Sequence, residues 1–191
     1  TSGNQPWLIN DPTSKVCDWY GVTVGSNLEV EAIQLSDNNL RGGIPTGLEN
    51  LKGLKVLDVS INNMVGELPL SITTLPQLQT LNLRENILVG EIPLAISNLT
   101  NLKILDLGIN RFSKEIPTTI GALQNLTYLD LSVNKLEKEI PEGLWSIQTL
   151  KTIKLQENKL EGIISDAIGN VSQLKEFWVS KNMFTGNIPA T

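Results

Sequence analysis

The chain of 191 residues contains no histidine. This removes the usual proton shuttle near neutral pH and the commonest metal ligand. The one cysteine, Cys17, allows neither an internal disulfide nor a thiolate metal site and leaves the redox compartment open. No stretch approaches the roughly 18 successive apolar residues of a membrane span. Cations are outnumbered, 15 against 20 acidic residues, for a net charge of −5. That balance argues against nucleic acid as a partner, because phosphate binding wants a basic stripe. No metal or cofactor is expected. Thr1 rather than Met opens the chain and no apolar signal segment precedes it, so targeting signals are expected outside it.

What is present is repetition. "LSDNNLRGGIP" (35–45) returns as "VSINNMVGELP" (59–69), "LRENILVGEIP" (83–93) and "LSVNKLEKEIP" (131–141). The period is 24 residues without insertion, and units begin at Val30, Leu54, Leu78, Leu102, Leu126, Leu150 and Leu174. Each reads L-x-x-L-x-L-x-x-N-x-L-x-G-x-I-P-x-x-L-x-x-L-x-x. Six full units and a partial seventh offer 47 positions that should be apolar, and all 47 are Leu, Ile, Val, Met or Phe. In a chain that is 40% hydrophobic, chance does not produce this.

The segment L-x-x-L-x-L alternates at period two, as a strand with one buried face does. A single unit cannot bury its leucines. Stacked units place their strands about 4.8 Å apart in a parallel sheet and merge the leucines into one core. A short helical or irregular return segment, carrying for example Leu48 and Leu51, closes each coil.

Asparagine recurs as Asn38, Asn62, Asn86, Asn110, Asn134, Asn158 and Asn182, where the strand ends and the chain turns inward. Backbone groups lose water and strand partners there, and an amide supplies both donor and acceptor. The seven are expected to form a structural ladder through the interior.

The unit resembles the plant-type leucine-rich repeat of receptor kinase and receptor-like protein ectodomains and polygalacturonase inhibitors. The resemblance covers residues 30–191. It implies an α/β repeat, a right-handed solenoid with a concave parallel sheet, and a second short sheet from L-x-G-x-I-P. "DPTSKVCDWYGVTV" (11–24) is similar to the family's N-terminal cap motif, matching at Cys17, Trp19, Gly21 and Val22. Val24 stands where the second cysteine belongs, so the cap is expected to rest on Trp7, Trp19 and Tyr20 packed over the first coil. The domains read as a cap over 1–29 and repeats over 30–191.

A 24-residue period turns sequence into rows. One row of the strand's outward face runs Gln34, Asp58, Asn82, Asp106, Asp130, Lys154, Trp178. Asp106 and Asp130 fall on neighbouring strands, but a flat open face without histidine or a second acid row argues against catalysis. No catalytic residue is expected. A mixed apolar and cationic patch of Ile109, Arg111, Val133 and Lys135, with Tyr128 and Trp178 on the same face, is the expected partner contact. Glu67, Glu91, Glu115 and Glu139 form an acidic column elsewhere, read as a solvated edge.

Sequons at Asn98, Asn125 and Asn170 fall on the return segment and suit a secreted chain. The resemblance implies a protein or peptide ligand, with or without a co-receptor, recognised on the extracellular side of the plasma membrane. The alternative is a freely secreted inhibitor or defence protein that binds an enzyme such as a polygalacturonase. Any kinase domain or membrane span would lie outside this chain. Leu174, Phe177, Val179 and Phe184 would face solvent at the last coil, so the natural protein is expected to continue past Thr191.

Overall fold

A computed structural model describes residues 20–190. In chain order the strands are β1 (Val22–Val24), β2 (Val30–Gln34), β3 (Arg41–Gly42), β4 (Val56–Asp58), β5 (Asn63–Glu67), β6 (Thr80–Asn82), β7 (Ile87–Gly90) and β8 (Ile104–Asp106). They continue as β9 (Arg111–Lys114), β10 (Tyr128–Asp130), β11 (Lys135–Lys138), β12 (Thr152–Lys154), β13 (Lys159–Gly162), β14 (Glu176–Trp178) and β15 (Met183–Phe184). After β1, the even-numbered strands build one sheet and the odd-numbered strands a second. Each coil therefore contributes one strand to each sheet.

The first sheet keeps the period of the sequence. Leu57 lies opposite Leu81, Leu81 opposite Leu105, Leu105 opposite Leu129 and Leu129 opposite Ile153, all in parallel pairs. These columns are the core. In the second to fifth units every apolar position of the repeat is buried; in the first only Leu35 and Ile44 are, and in the partial last unit none is, with Ile188 92% exposed. The end coils lack a neighbour on one side, as expected of a stack in which each unit covers the next. β1 pairs antiparallel with β2 and covers the sheet's first edge, which would otherwise offer unpaired backbone groups.

The return segments are five-residue 3-10 turns, for example Leu70–Thr74, Leu94–Asn98 and Glu142–Ser146. Apolar residues three apart, such as Ile72 and Leu75, align on one face of such a helix. Proline enters the turns at Pro45, Pro69, Pro93, Pro117 and Pro141 with φ between −52° and −70°, the value its ring imposes. Ser165, which departs from the proline pattern, caps its turn by accepting a hydrogen bond from the Ala167 N–H at 3.2 Å.

Two expectations need correction. Tyr20 is 76% exposed and does not pack over the first coil; Trp7, Cys17 and Trp19 lie outside the described residues. The second sheet also does not follow 24-residue rows. Its opposed residues are 22 apart: Val65 with Ile87, Val89 with Arg111, Ser113 with Lys135, Glu137 with Lys159. Strand twist carries the chain obliquely across this side of the stack. Equivalent residues there are diagonal neighbours, about 7–8 Å apart rather than directly opposed, so Glu67, Glu91, Glu115 and Glu139 are spaced more widely than a straight column.

The glycine of L-x-G-x-I-P adopts φ between 80° and 89° at Gly42, Gly66, Gly90, Gly162 and Gly186. Lys114 and Lys138 stand at the same place with φ of 68° and 70°. The repeat thus forces two non-glycine residues into the left-handed region.

Candidate partner-binding face

The asparagines set the rigidity of the face. Asn110 Oδ1 accepts from the Leu88 N–H at 3.1 Å, in the preceding coil. Its Nδ2 donates to Leu83 O at 2.9 Å, also in the preceding coil, and to Leu107 O and Gly108 O in its own turn. Asn62, Asn86, Asn134, Asn158 and Asn182 repeat this arrangement. Each amide ties its coil to the one before it. Asn38 has no earlier repeat to reach, and its Nδ2 donates to Ser36 O in its own turn.

The chain just before each asparagine is left-handed: Asp37, Ile61, Glu85, Ile109, Val133, Glu157 and Lys181 have φ between 52° and 59°. The stack imposes this, because Ile109 N–H reaches Ser132 O and Val133 N–H reaches Gln156 O, each at 2.9 Å. The sequence rows read these residues as simple outward positions. Instead they sit in a turn beyond the strand, with Ile109 and Val133 half-buried and Ile61 46% exposed. For a β-branched side chain this conformation costs about 1–2 kcal/mol.

At the centre of the first sheet lies a charged network that the sequence reading missed. Asp130 is 1% exposed and Asp106, opposite it, 7%. Arg84 reaches from the third unit to Asp130, Nη1 to Oδ2 2.8 Å, and stands 3.8 Å from Asp106 Oδ1. It passes over Gly108, where an added Cβ would lie 2.7 Å from Arg84 Nη1. The Asp130 carboxylate also accepts from the Ser132 N–H and hydroxyl and, at 3.3 Å, from the Tyr128 hydroxyl. Lys154 Nζ stands 5.4 Å from the Tyr128 ring centre.

Burial, reinforced by Asp130, raises Asp106 to about 6 against the pull of the Gly108 N–H and Arg84. Burial, then the two carboxylates, pushes the Tyr128 phenol above its ordinary value. A signal was present: the row 36, 60, 84, 108, 132, 156, 180 reads Ser, Ser, Arg, Gly, Ser, Gln, Ser. An arginine followed one coil later by glycine is the mark of a side chain crossing a coil.

Of the expected contact residues, Tyr128 and Trp178 fall on the first sheet, separated by β12, and Trp178 is 53% exposed. Arg111 and Lys135 are exposed at the start of β9 and β11. The register shift sets Lys135 beside Ser113 rather than Arg111. Asn98, Asn125 and Asn170 are exposed on the return side, Asn98 and Asn170 closing 3-10 turns. Among the described residues no helix is long and apolar enough to cross a membrane.

The repeat is recognised by family models described as leucine rich repeat, over residues 29–51, 76–136 and 100–160. No curated protein sequence matches the chain. Among solved structures, the ectodomain of the Arabidopsis thaliana receptor kinase GASSHO1/SCHENGEN3, in complex with CASPARIAN STRIP INTEGRITY FACTOR 2, is 35% identical with a TM-score of 0.93, covering 98% of this chain and 23% of that one. The ectodomain of the Arabidopsis receptor kinase HAESA, in complex with a peptide hormone ligand, is 34% identical with a TM-score of 0.86, covering 93% and 30%. The BIR3–SERK2 complex of Arabidopsis thaliana supplies a chain 32% identical with a TM-score of 0.71, covering 80% and 81%.

The chain belongs to the leucine-rich repeat family. It is of the plant type, and it spans less than a third of the length of the two receptor kinase ectodomains. As a leucine-rich repeat array it shares their solenoid of parallel strands and short 3-10 turns.

Proposed function

We propose that this chain is the ligand-recognising part of the extracellular portion of a leucine-rich repeat receptor, binding a protein or peptide on its first sheet. Residues 1–29 form its N-terminal cap and residues 30–191 the recognition array. The supporting observation is a sheet in which neighbouring coils are locked together by asparagine amides while side chains of different strands, Ile104, Tyr128, Lys154 and Trp178, present one surface. A face already ordered binds with little further loss of conformational freedom. Likeness to ectodomains solved with a peptide hormone or alongside a second receptor chain supports a peptide ligand or a co-receptor as the partner class. Glycans at Asn98, Asn125 and Asn170 would stand on the return side and leave the face open. In this reading the array binds and does not catalyse.

The test is capture of partners from the source tissue by the wild-type chain and by Ile104→Asp and Trp178→Ala, both exposed on the first sheet. Loss of the same partner from both variants supports the reading. Capture unchanged in both removes it.

A further inference from the structure

The charges of the chain are divided by position. Residues 1–102 hold 5 of its 15 cations and 10 of its 20 acids; residues 103–191 hold 10 and 10. Within that second part the acids are placed away from the open surface of the first sheet or are already engaged. Asp106 and Asp130 are buried and served by Arg84. Glu157 is paired with Lys181 at 2.9 Å. Glu137 and Glu161 lie in second-sheet strands, and Glu115, Glu139, Glu142 and Asp166 belong to that sheet's far end and the return turns. Glu176 alone stands exposed in a first-sheet strand.

The cations take the opposite placement. Lys103, Lys151 and Lys175 immediately precede β8, β12 and β14, and all three are exposed. Arg111, Lys135 and Lys159 open β9, β11 and β13 beyond the other end of the same strands and are exposed as well. Lys154 lies between the two rows with Trp178 beside it, one strand on. Among the described residues none of these seven enters an ion pair, although Lys154 is set opposite Asp130 in the first sheet and Lys159 opposite Glu137 in the second. A molecule of net charge −5 thus carries, over its last four coils, a trough with cations on both rims and an aromatic and aliphatic floor.

We infer that this trough selects an acidic peptide: an extended segment laid across β8, β10, β12 and β14, its carboxylates facing the two rims and an apolar side chain on Trp178 or Ile104. The inference rests on the peptide-recognition reading above and narrows it to one chemistry. Complementary charge at the rims speeds encounter and rejects basic partners, while the apolar floor supplies the fixed contact. Four strands at about 4.8 Å spacing span roughly 14 Å, which about four or five extended residues cover.

The experiment pans a random-sequence peptide display library on the whole chain, then measures the enriched peptides against variants and across a salt series. Expected are peptides rich in Asp and Glu with an aromatic or aliphatic residue. Their binding should weaken with salt and fall about tenfold or more in the Arg111→Glu/Lys135→Glu double variant. Lys52→Glu, on a return segment, should leave it unchanged. Enrichment of neutral or basic peptides that still depend on Trp178 overturns the acidic selectivity and leaves peptide recognition standing. Enriched peptides indifferent to Arg111→Glu/Lys135→Glu and Trp178→Ala alike overturn both. Since every substituted side chain is exposed, thermal unfolding of the variants should match the wild type, and binding is compared on that basis.

Discussion

Arg84 and Asp130 are 46 residues apart in sequence and 2.8 Å apart in space, joined across an intervening coil whose residue at the crossing is Gly108. The pair holds a carboxylate that is 1% exposed. An uncompensated buried charge is costly, so the arginine's path must stay clear. Gly108→Val should displace Arg84 and destabilise the chain by about 2–4 kcal/mol. Adding Asp130→Asn should recover part of the loss, because a neutral amide needs no counter-charge. Urea unfolding of the single and double variants measures both; equal losses would show that the side chain's bulk, not the stranded charge, is responsible.

The asparagine ladder makes a graded claim. Asn110→Ala removes the acceptor for Leu88 N–H and the donor to Leu83 O, both inside the stack. It should cost about 2–3 kcal/mol. Asn38→Ala removes a bond to Ser36 O in a half-exposed turn at the first coil and should cost well under half as much. Chemical denaturation of the two variants side by side checks the ordering.

Much of this was legible in advance, and the reason is physical. A 24-residue period combined with two-residue alternation leaves a parallel stack as the way to bury Leu57, Leu81, Leu105 and Leu129 together, and those residues form one column. Return turns were readable from Leu48 and Leu51. The oblique second sheet was not, since a 22-residue register arises from twist between strands and leaves the spelling of each unit unchanged. Ile109 and Val133 also misled: an aliphatic residue in a strand-like phrase suggests extended backbone, whereas the hydrogen bonds of the next coil hold both left-handed. Arg84 and Gly108 were visible only as two of three departures from serine in their row, Gln156 being the third.

Lys114 and Lys138 occupy a left-handed position that other units give to glycine. Both are exposed and contribute little burial. Replacing either with glycine relieves about 1–2 kcal/mol of backbone strain and returns part of it as unfolded-chain entropy. Lys114→Gly and Lys138→Gly should each stabilise by about 0.5–1 kcal/mol, measured as a higher denaturant midpoint at unchanged slope.

Asp106 carries a pH signature. Its carboxyl rises to about 6 in the folded chain from an ordinary 3.8, so between those values the folded state holds a proton that the unfolded state has released. This group's contribution to stability is therefore complete below about pH 4 and is lost as pH rises through about 6. Asp106→Asn keeps the acceptor for Gly108 N–H and removes the titration. The stability difference between wild type and variant should move in the variant's favour from pH 4 to pH 7; a flat difference would refute the raised carboxyl.

The recognition face itself is tested most directly by hydroxyl-radical footprinting of the chain with and without its captured partner. Trp178 on the first sheet is 53% exposed, and Leu70 and Leu94 at the return turns are 65% and 59% exposed, so all three label in the free chain. The account expects Trp178, with Ile104 beside the lysine rim, to be shielded in the complex while Leu70 and Leu94 label as before. Shielding of Leu70 and Leu94 with Trp178 left open would place the partner on the other side of the coil and contradict it.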